Sequence, residues 1–144
     1  MDIQVENVTN LYSFSVVVSF DPTRLQVRDA DTRTNDIEIA LGEFLDPNNH
    51  FVLLNQVDHE TGTIELLVTQ THPAEAKSGS GVLGTITFES IAEEGSSSIQ
   101  LTEVQLVDDS TPNPQTIPAG TQDSQVTIGQ PTVQHQLYLP LIIK

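Results

Sequence analysis

The sequence predicts an all-β fold, a two-sheet β-sandwich with jelly-roll topology and about nine strands. Three observations support this class. Short runs of apolar and β-branched residues alternate with polar residues, turn signals separate the runs at short intervals, and no helical periodicity lasts more than a turn or two. The chain has 144 residues and no internal repeat, which fits a single domain.

The clearest predicted strand runs from Leu11 to Phe20, after a short alternating strand at residues 2–6. Tyr12, Phe14, Val16, Val18 and Phe20 share one face of this strand, and Ser13, Ser15, Val17 and Ser19 share the other. Such alternation is typical of a strand with one buried and one solvated face. Asp21-Pro22 ends the strand, because proline cannot donate a ladder hydrogen bond.

The middle of the chain continues the alternation of strands and turns. The predicted elements are a short strand at Leu25–Val27, a polar loop at 29–35, a turn at 46–49, a strand at 50–57, a hairpin turn at 58–62 and a strand at 63–71.

The second half begins with a connection at 72–81, in which Ala74 to Lys77 fits one helical turn. A strand from Gly81 to Glu89 follows, with Val82, Ile86 and Phe88 inward. In the next strand, Ile99 to Val107, the apolar residues change from one face of the strand to the other. This change predicts a β-bulge near Thr102-Glu103. A proline-rich loop at 109–120 and a strand at 124–128 complete the domain.

Composition excludes several classes of function. The chain has 5 basic and 20 acidic residues, a net charge of −15 and no cysteine. The electrostatic field of this negative charge repels nucleic acid and anionic membranes and favours a cationic or calcium-rich partner. Acidity also keeps a domain soluble, which is the alternative explanation of the charge. Disulfides are excluded. No stretch approaches the length of a membrane span, and residues 2–6 do not resemble a signal peptide.

Catalytic and metal-binding patterns are weak, so we expect no enzyme activity, no metal and no cofactor. The acidic residues fall in turns and on solvated faces rather than as a facing pair in a cleft. The histidines lack the spacing of a zinc site. The run from Asp29 to Thr34 begins like a calcium loop, but Arg33 and Thr34 occupy positions that need a ligand and a glycine.

Three segments, in order, resemble the cohesin family. They are Asn7 to Leu11 running into Val16 to Val27, with Phe20-Asp21-Pro22 and Leu25-Gln26-Val27; Gly79 to Phe88; and Ser98 to Leu106 followed by an acidic loop and Gln125 to Ile128. The resemblance covers most of residues 1–128. It implies a nine-stranded jelly roll that performs no chemistry and binds a calcium-loaded, dockerin-like module in a bacterial extracellular assembly, secreted or at the cell surface.

The resemblance and the strand parity together predict a binding face. In the family, a strand of the Leu11–Phe20 kind helps form the dockerin-binding sheet, and Ser13 and Ser15 match its polar contact positions. The predicted partner-binding residues are Ser13, Ser15, Val17, Leu54, Gln56, Leu67, Thr69 and Thr71. Two alternatives stay open: a carbohydrate-binding module, which usually needs exposed stacked aromatics, and a structural domain of a surface protein.

The segment 129–144 forms an apolar tail outside the resemblance. Val133, Leu137, Leu139, Leu141 and Ile143 share one parity, and the family's first strand has no counterpart before Asp2. Because an apolar strand is costly in water, we expect the tail to replace that first strand beside residues 2–8. A short hinge at Gly129-Gln130-Pro131 makes exchange of this strand between two copies a possible form of homodimer. The rival hypothesis is a sorting or anchoring segment.

Overall fold

The structure is a computed structural model that describes residues 1–129 and 140–144. Within these residues it contains β-strands and no helix, so the part of the chain it describes has no helix that could cross a bilayer. The strands are β1 Asp2–Leu11, β2 Ser13–Ser19, β3 Leu25–Val27, β4 Ala40–Leu41, β5 His50–Asp58, β6 Thr63–Gln70, β7 Lys77–Thr85, β8 Phe88–Ser90, β9 Gly95–Val107, β10 Thr116–Ile117, β11 Thr121–Gln122, β12 Ser124–Ile128 and β13 Leu141–Ile143.

Two main sheets form the predicted sandwich. The β1 sheet has the strand order β11-β13-β1-β7-β4, and the β2 sheet has the order β10-β9-β2-β6-β5, with β12 also paired to β9. A small ribbon of β3 and β8 lies apart from both sheets. The all-β jelly-roll class is therefore confirmed. The larger number of strands comes from segments of only two or three residues, which are too short to show alternation in the sequence.

The core lies between the two main sheets. β2 buries Phe14, Val16 and Val18, and β6 buries Ile64 and Leu66. These residues alternate with half-buried neighbours, which is the period of two that a strand requires. The strongest pattern in the sequence therefore defines the central strand of the β2 sheet.

The chain passes from the β1 sheet to the β2 sheet at Tyr12. Leu11 ends β1, whereas the Tyr12 N–H donates to Val107 O (2.8 Å) and Tyr12 O accepts from the Gln70 N–H (3.0 Å). The predicted strand from Leu11 to Phe20 is thus divided between two sheets. Asn10 has a φ of 56°, a left-handed conformation that asparagine tolerates better than most residues, and it turns the chain immediately before the crossing.

The predicted bulge in the strand after Ile99 is confirmed. Val17 of β2 pairs with Glu103 and Val18 pairs with Leu101, so Thr102 is the extra residue of β9. The Thr102 hydroxyl donates to Val17 O (3.2 Å). The extra residue explains why the apolar phase slips within β9.

The predicted strand from Gly81 to Glu89 was wrong in its limits and partly in its parity. The structure has β7 at Lys77–Thr85 and β8 at Phe88–Ser90, in different sheets, and Lys77 belongs to a strand rather than to a helical turn. Leu83, not Val82, is buried, because the register shifts there: Ile3 pairs with Gly84 and Gln4 pairs with Val82. The start of β7 was missed because Ser78 to Gly81 carries no apolar residue.

The end of the tail forms a strand beside β1. Ile3 pairs with Leu141 and Val5 with Ile143 in parallel register, and β11 flanks the other side of β13. Pro140 directly precedes the strand, so its missing N–H interrupts no bond within β13. The rest of the predicted strand, with Val133, His135, Leu137 and Leu139, lies outside the described residues. The pairing occurs within one chain, so the structure does not support strand exchange between two copies.

Removing the side chains of β13 is expected to destabilise the domain. Leu141 and Ile143 are each 0% exposed, so Leu141→Ala should lower the free energy of unfolding by about 2–5 kcal/mol. Lys144→Ala is the control, because Lys144 is exposed and its contacts with Gly120 use only backbone atoms. Denaturant unfolding of both variants checks this, and equal stability of Leu141→Ala and the parent chain would show that β13 is dispensable.

Candidate functional site

The outer face of the β2 sheet is the candidate site, and β2 forms its centre. β2 pairs with β6 on one side and with β9 on the other. Its residues Ser13, Ser15 and Val17 are half-buried and point away from the core, opposite to Phe14 and Val16. Small side chains at these positions keep the centre of the face flat.

Antiparallel pairing brings the predicted residues of β6 and β5 onto the same face, because directly opposed residues point to the same side of a sheet. Ser13 lies opposite Thr69, and Ser15 lies opposite Leu67. Leu67 in turn lies opposite Leu54. The remaining pair is Gln56 of β5 with Glu65 of β6, and the Gln56 side chain donates to the Glu65 carboxylate.

Thr71 stands apart from the other predicted residues. β6 ends at Gln70, and the N–H of Thr71 donates to Asn49 O (2.9 Å) in the turn before β5. Thr71 is exposed but lies at the edge of the face rather than within its rows.

Two apolar side chains of β5 are highly exposed and were not predicted from the sequence. Phe51 is 59% exposed and Leu53 is 54% exposed. Phe51 lies opposite Thr69 and therefore belongs to the face. The register shifts between Val52 and Leu54, so Leu53 is the extra residue of a bulge. The continuous apolar run from Phe51 to Leu54 breaks alternation and could have signalled this bulge, as the phase slip did in β9.

The face carries negative charge and no positive charge. Glu65 and Glu103 flank Val17 on the neighbouring strands, and Asp58 lies at the end of β5. The basic residues of the chain are Arg24, Arg28, Arg33, Lys77 and Lys144, and none of them lies on β2, β5, β6 or β9. The face therefore combines an apolar and hydroxyl-bearing centre with acidic flanks.

Asp58 closes the hairpin that joins β5 to β6. Its Oδ1 accepts hydrogen bonds from the N–H groups of Glu60 (2.8 Å) and Thr61 (3.3 Å), and these bonds lower the pKa of the carboxyl. The Gly62 N–H donates to Asp58 O (2.9 Å), and Gly62 has a φ of 71°. A side chain there would meet Phe20 O at 2.1 Å, so glycine is required.

The other candidate groups are used in local structure. Asp29 Oδ1 accepts from the N–H groups of Asp31 and Glu38, and the carboxylate of Asp31 pairs with Arg33 (2.8 Å). His59 Nε2 accepts from the Val27 N–H (2.9 Å). Within residues 1–129 and 140–144, no group of three His, Cys, Asp or Glu side chains is placed to hold a metal ion.

The fold is thus a jelly roll with one exposed sheet face whose centre is flat and mixes apolar and hydroxyl-bearing side chains. The chain belongs to the cohesin domain family, whose sequence model matches residues 1–128. Comparison with curated proteins gives no match.

Solved structures confirm the fold. A type II cohesin domain from the cellulosome of Acetivibrio cellulolyticus is 18% identical, with a TM-score of 0.59 over 81% of this chain and 82% of that chain. A non-cellulosomal cohesin from the hyperthermophilic archaeon Archaeoglobus fulgidus is 14% identical, with a TM-score of 0.62 over 92% and 85%. The cohesin of a type II cohesin–X-dockerin complex from A. cellulolyticus is 17% identical, with a TM-score of 0.57 over 72% of each chain.

Protonating Asp58 is expected to weaken the fold at acid pH. Because the folded-state pKa is lowered, the stabilisation is complete above the unfolded-state pKa of about 3.9 and is lost as the pH falls through the lower folded-state value. Asp58→Asn should therefore reduce the melting temperature at pH 6, and its difference from the parent chain should narrow as the pH falls below about 4.

Melting curves from pH 3 to 7 provide the measurement. Asp109→Asn is the control, because it removes the same charge from an exposed side chain that makes no hydrogen bond to the described residues. A constant difference between Asp58→Asn and the parent chain across this range would contradict the assignment.

Proposed function

We propose that this chain binds a calcium-loaded, dockerin-like protein module through the outer face of the β2 sheet, as part of a secreted or cell-surface bacterial assembly. Family membership supports the partner class, since one similar cohesin was solved in a complex with an X-dockerin. The observation that carries the site is the alignment of Ser13, Ser15, Val17, Leu54, Gln56, Leu67 and Thr69 on one exposed face.

The composition of the face suits association with another protein. Leu54 and Leu67 are adjacent, and they adjoin the hydroxyl groups of Ser15 and Thr69. An apolar centre with polar groups around it is the usual arrangement of residues that dominate binding energy. Small side chains along β2 allow a partner surface to approach closely.

The charge of the face indicates the charge of the partner. Glu65 and Glu103 flank the centre of the face, and the strands that form the face carry no lysine or arginine. Opposite charges across an interface raise the association rate and suppress wrong partners. We therefore expect lysine or arginine on the dockerin-like surface, in addition to the calcium ions that such a module would bring.

Carbohydrate binding is less well supported. Among the described aromatic residues only Phe51 lies on the face, whereas Phe14 and Phe20 are buried and Tyr12 is half-buried at the crossing between sheets. A single phenylalanine does not form the row of stacked rings that sugar platforms use. Tyr138 lies outside the described residues.

Similar cohesins come from both cellulosomal and non-cellulosomal proteins. We therefore propose an extracellular assembly in general, cellulosomal or not. If no dockerin binds in the experiments below, the results would favour the alternative that the chain is a structural domain of a surface protein.

A charge at the centre of the face is expected to disrupt binding. Leu67→Lys places an ammonium group between Ser15 and Leu54 and should weaken binding by at least about ten-fold, or about 1.4 kcal/mol. Isothermal titration calorimetry against dockerin modules from the source organism and the X-dockerin of A. cellulolyticus, with calcium or with chelator, measures this.

Gln4→Lys is the matched control, because it adds the same charge to the outward side of β1 in the opposite sheet. Binding that survives Leu67→Lys at full strength would show that another surface is used, and binding that chelator leaves unchanged would remove calcium from the proposal. Absence of binding to every dockerin would contradict the function itself.

Salt is expected to weaken the complex. The screening length falls from about 10 Å at 0.1 M to about 3 Å at 1 M salt, so attraction between the acidic flanks and a basic partner should decrease. The double variant Glu65→Gln and Glu103→Gln should bind more weakly at low salt and lose most of the salt dependence. A parent complex whose affinity is constant across this range would exclude a cationic partner surface.

A further inference from the structure

An open groove lies beside the candidate face, between the edge strands of the two main sheets. β4 forms one side, at the edge of the β1 sheet, and β5 forms the other, at the edge of the β2 sheet. The groove has a volume of about 450 Å³. Its lining combines the aliphatic side chains of Leu41, Val52, Leu53 and Leu54 with the carboxylates of Asp31 and Glu38.

Part of the β5 edge is closed by the chain itself. The Asn55 side chain donates to Ile39 O (2.8 Å) and accepts from the Ile39 N–H (2.9 Å), and the Val57 N–H donates to Ile37 O (3.1 Å). These bonds substitute for a neighbouring strand and protect the edge from unwanted pairing. They stop at Asn55, and the groove opens along Val52 to Leu54.

The bulge in β5 exposes an apolar side chain at the mouth of this groove. Leu53 is the extra residue and is 54% exposed, whereas Val52 packs against the core. Bulges at sheet edges commonly redirect a side chain. Leu53 adjoins Leu54, which pairs with Leu67, so apolar side chains continue from the face to the groove. Contiguous apolar patches of this kind mark interaction sites.

The groove is continuous with the face proposed above. Leu54 lines the groove and also pairs with Leu67 on the face, so a partner that covers Leu67 needs to extend by about one strand spacing, roughly 4.8 Å, to reach it. The acidic character continues too, since Asp31 and Glu38 both line the groove. Asp31 is paired with Arg33 (2.8 Å), and Glu38 accepts a hydrogen bond from the Thr34 hydroxyl (3.1 Å) and lies close enough to Arg33 to help raise its pKa.

We propose that the groove receives an aliphatic or aromatic side chain of the same protein partner, in contact with Leu53 and Leu54. This inference rests on the proposed function and adds a second anchor to it. The interface then extends past the β5 edge onto the 30–41 segment and is not confined to the sheet face.

Two variants test the groove separately from the face. Leu53→Ser removes the exposed anchor, and Ala40→Trp fills the groove from the opposite side, where Ala40 is exposed. Each should weaken binding of the dockerin module that shows the tightest affinity in the titrations above by about ten-fold. Ile91→Ser is the matched control, because Ile91 is 52% exposed and lies beyond β8, away from the β2 sheet.

Methyl chemical shifts provide an independent measurement on the unmodified chain. On titration with the same dockerin module, the methyl signals of Ala40, Leu41 and Leu53 should move together with those of Val17 and Leu67. If only the Val17 and Leu67 signals move and both groove variants bind normally, the groove is not part of the interface, while the proposed function stands. If Leu67→Lys also binds normally and no signal of either group moves, the proposed face is wrong.

Discussion

The pairing of β2 with both β6 and β9 is the interaction on which the rest of the structure depends. It makes β2 a central strand, so that Phe14 and Val16 are committed to the core and Ser15 and Val17 to the outer face. A slip of one residue would exchange the two faces. The hydrophobic effect that drives core formation therefore also determines which side chains are available to a partner.

The two sides of the sandwich differ in how completely their strand edges are covered. β13 covers one side of β1, and Leu141 and Ile143 complete the core there. At the opposite side of the sandwich, the Asn55 side chain and the Ile37 backbone close only part of β5. The unclosed part coincides with the bulge at Leu53, so the least protected edge adjoins the candidate face.

Turn aspartates and strand glutamates have different roles in this chain. Aspartates in turns use their carboxylates to accept local hydrogen bonds. Asp58 accepts from backbone N–H groups, Asp46 accepts from the Asn49 side chain (3.0 Å) and from the Asn48 N–H (2.8 Å), and these bonds lower the pKa of each carboxyl. Glutamates on the outer face, such as Glu65 and Glu103, lie within strands instead. Most of the turn acids thus stabilise the fold, while the strand acids give the face its sign.

The sequence by itself determined the fold class and the cohesin resemblance, because both depend on the order of strands and turns along the chain. It also determined the parity of β2 and β6 and the bulge at Thr102, because these depend on neighbours within one strand. Only the tertiary structure decided where β1 ends and β2 begins, how β7 and β8 divide, and that Phe51 and Leu53 are exposed. These features depend on which strand lies opposite, and a register shift such as the one at Leu53 is set by a partner strand and not by the alternation of one segment.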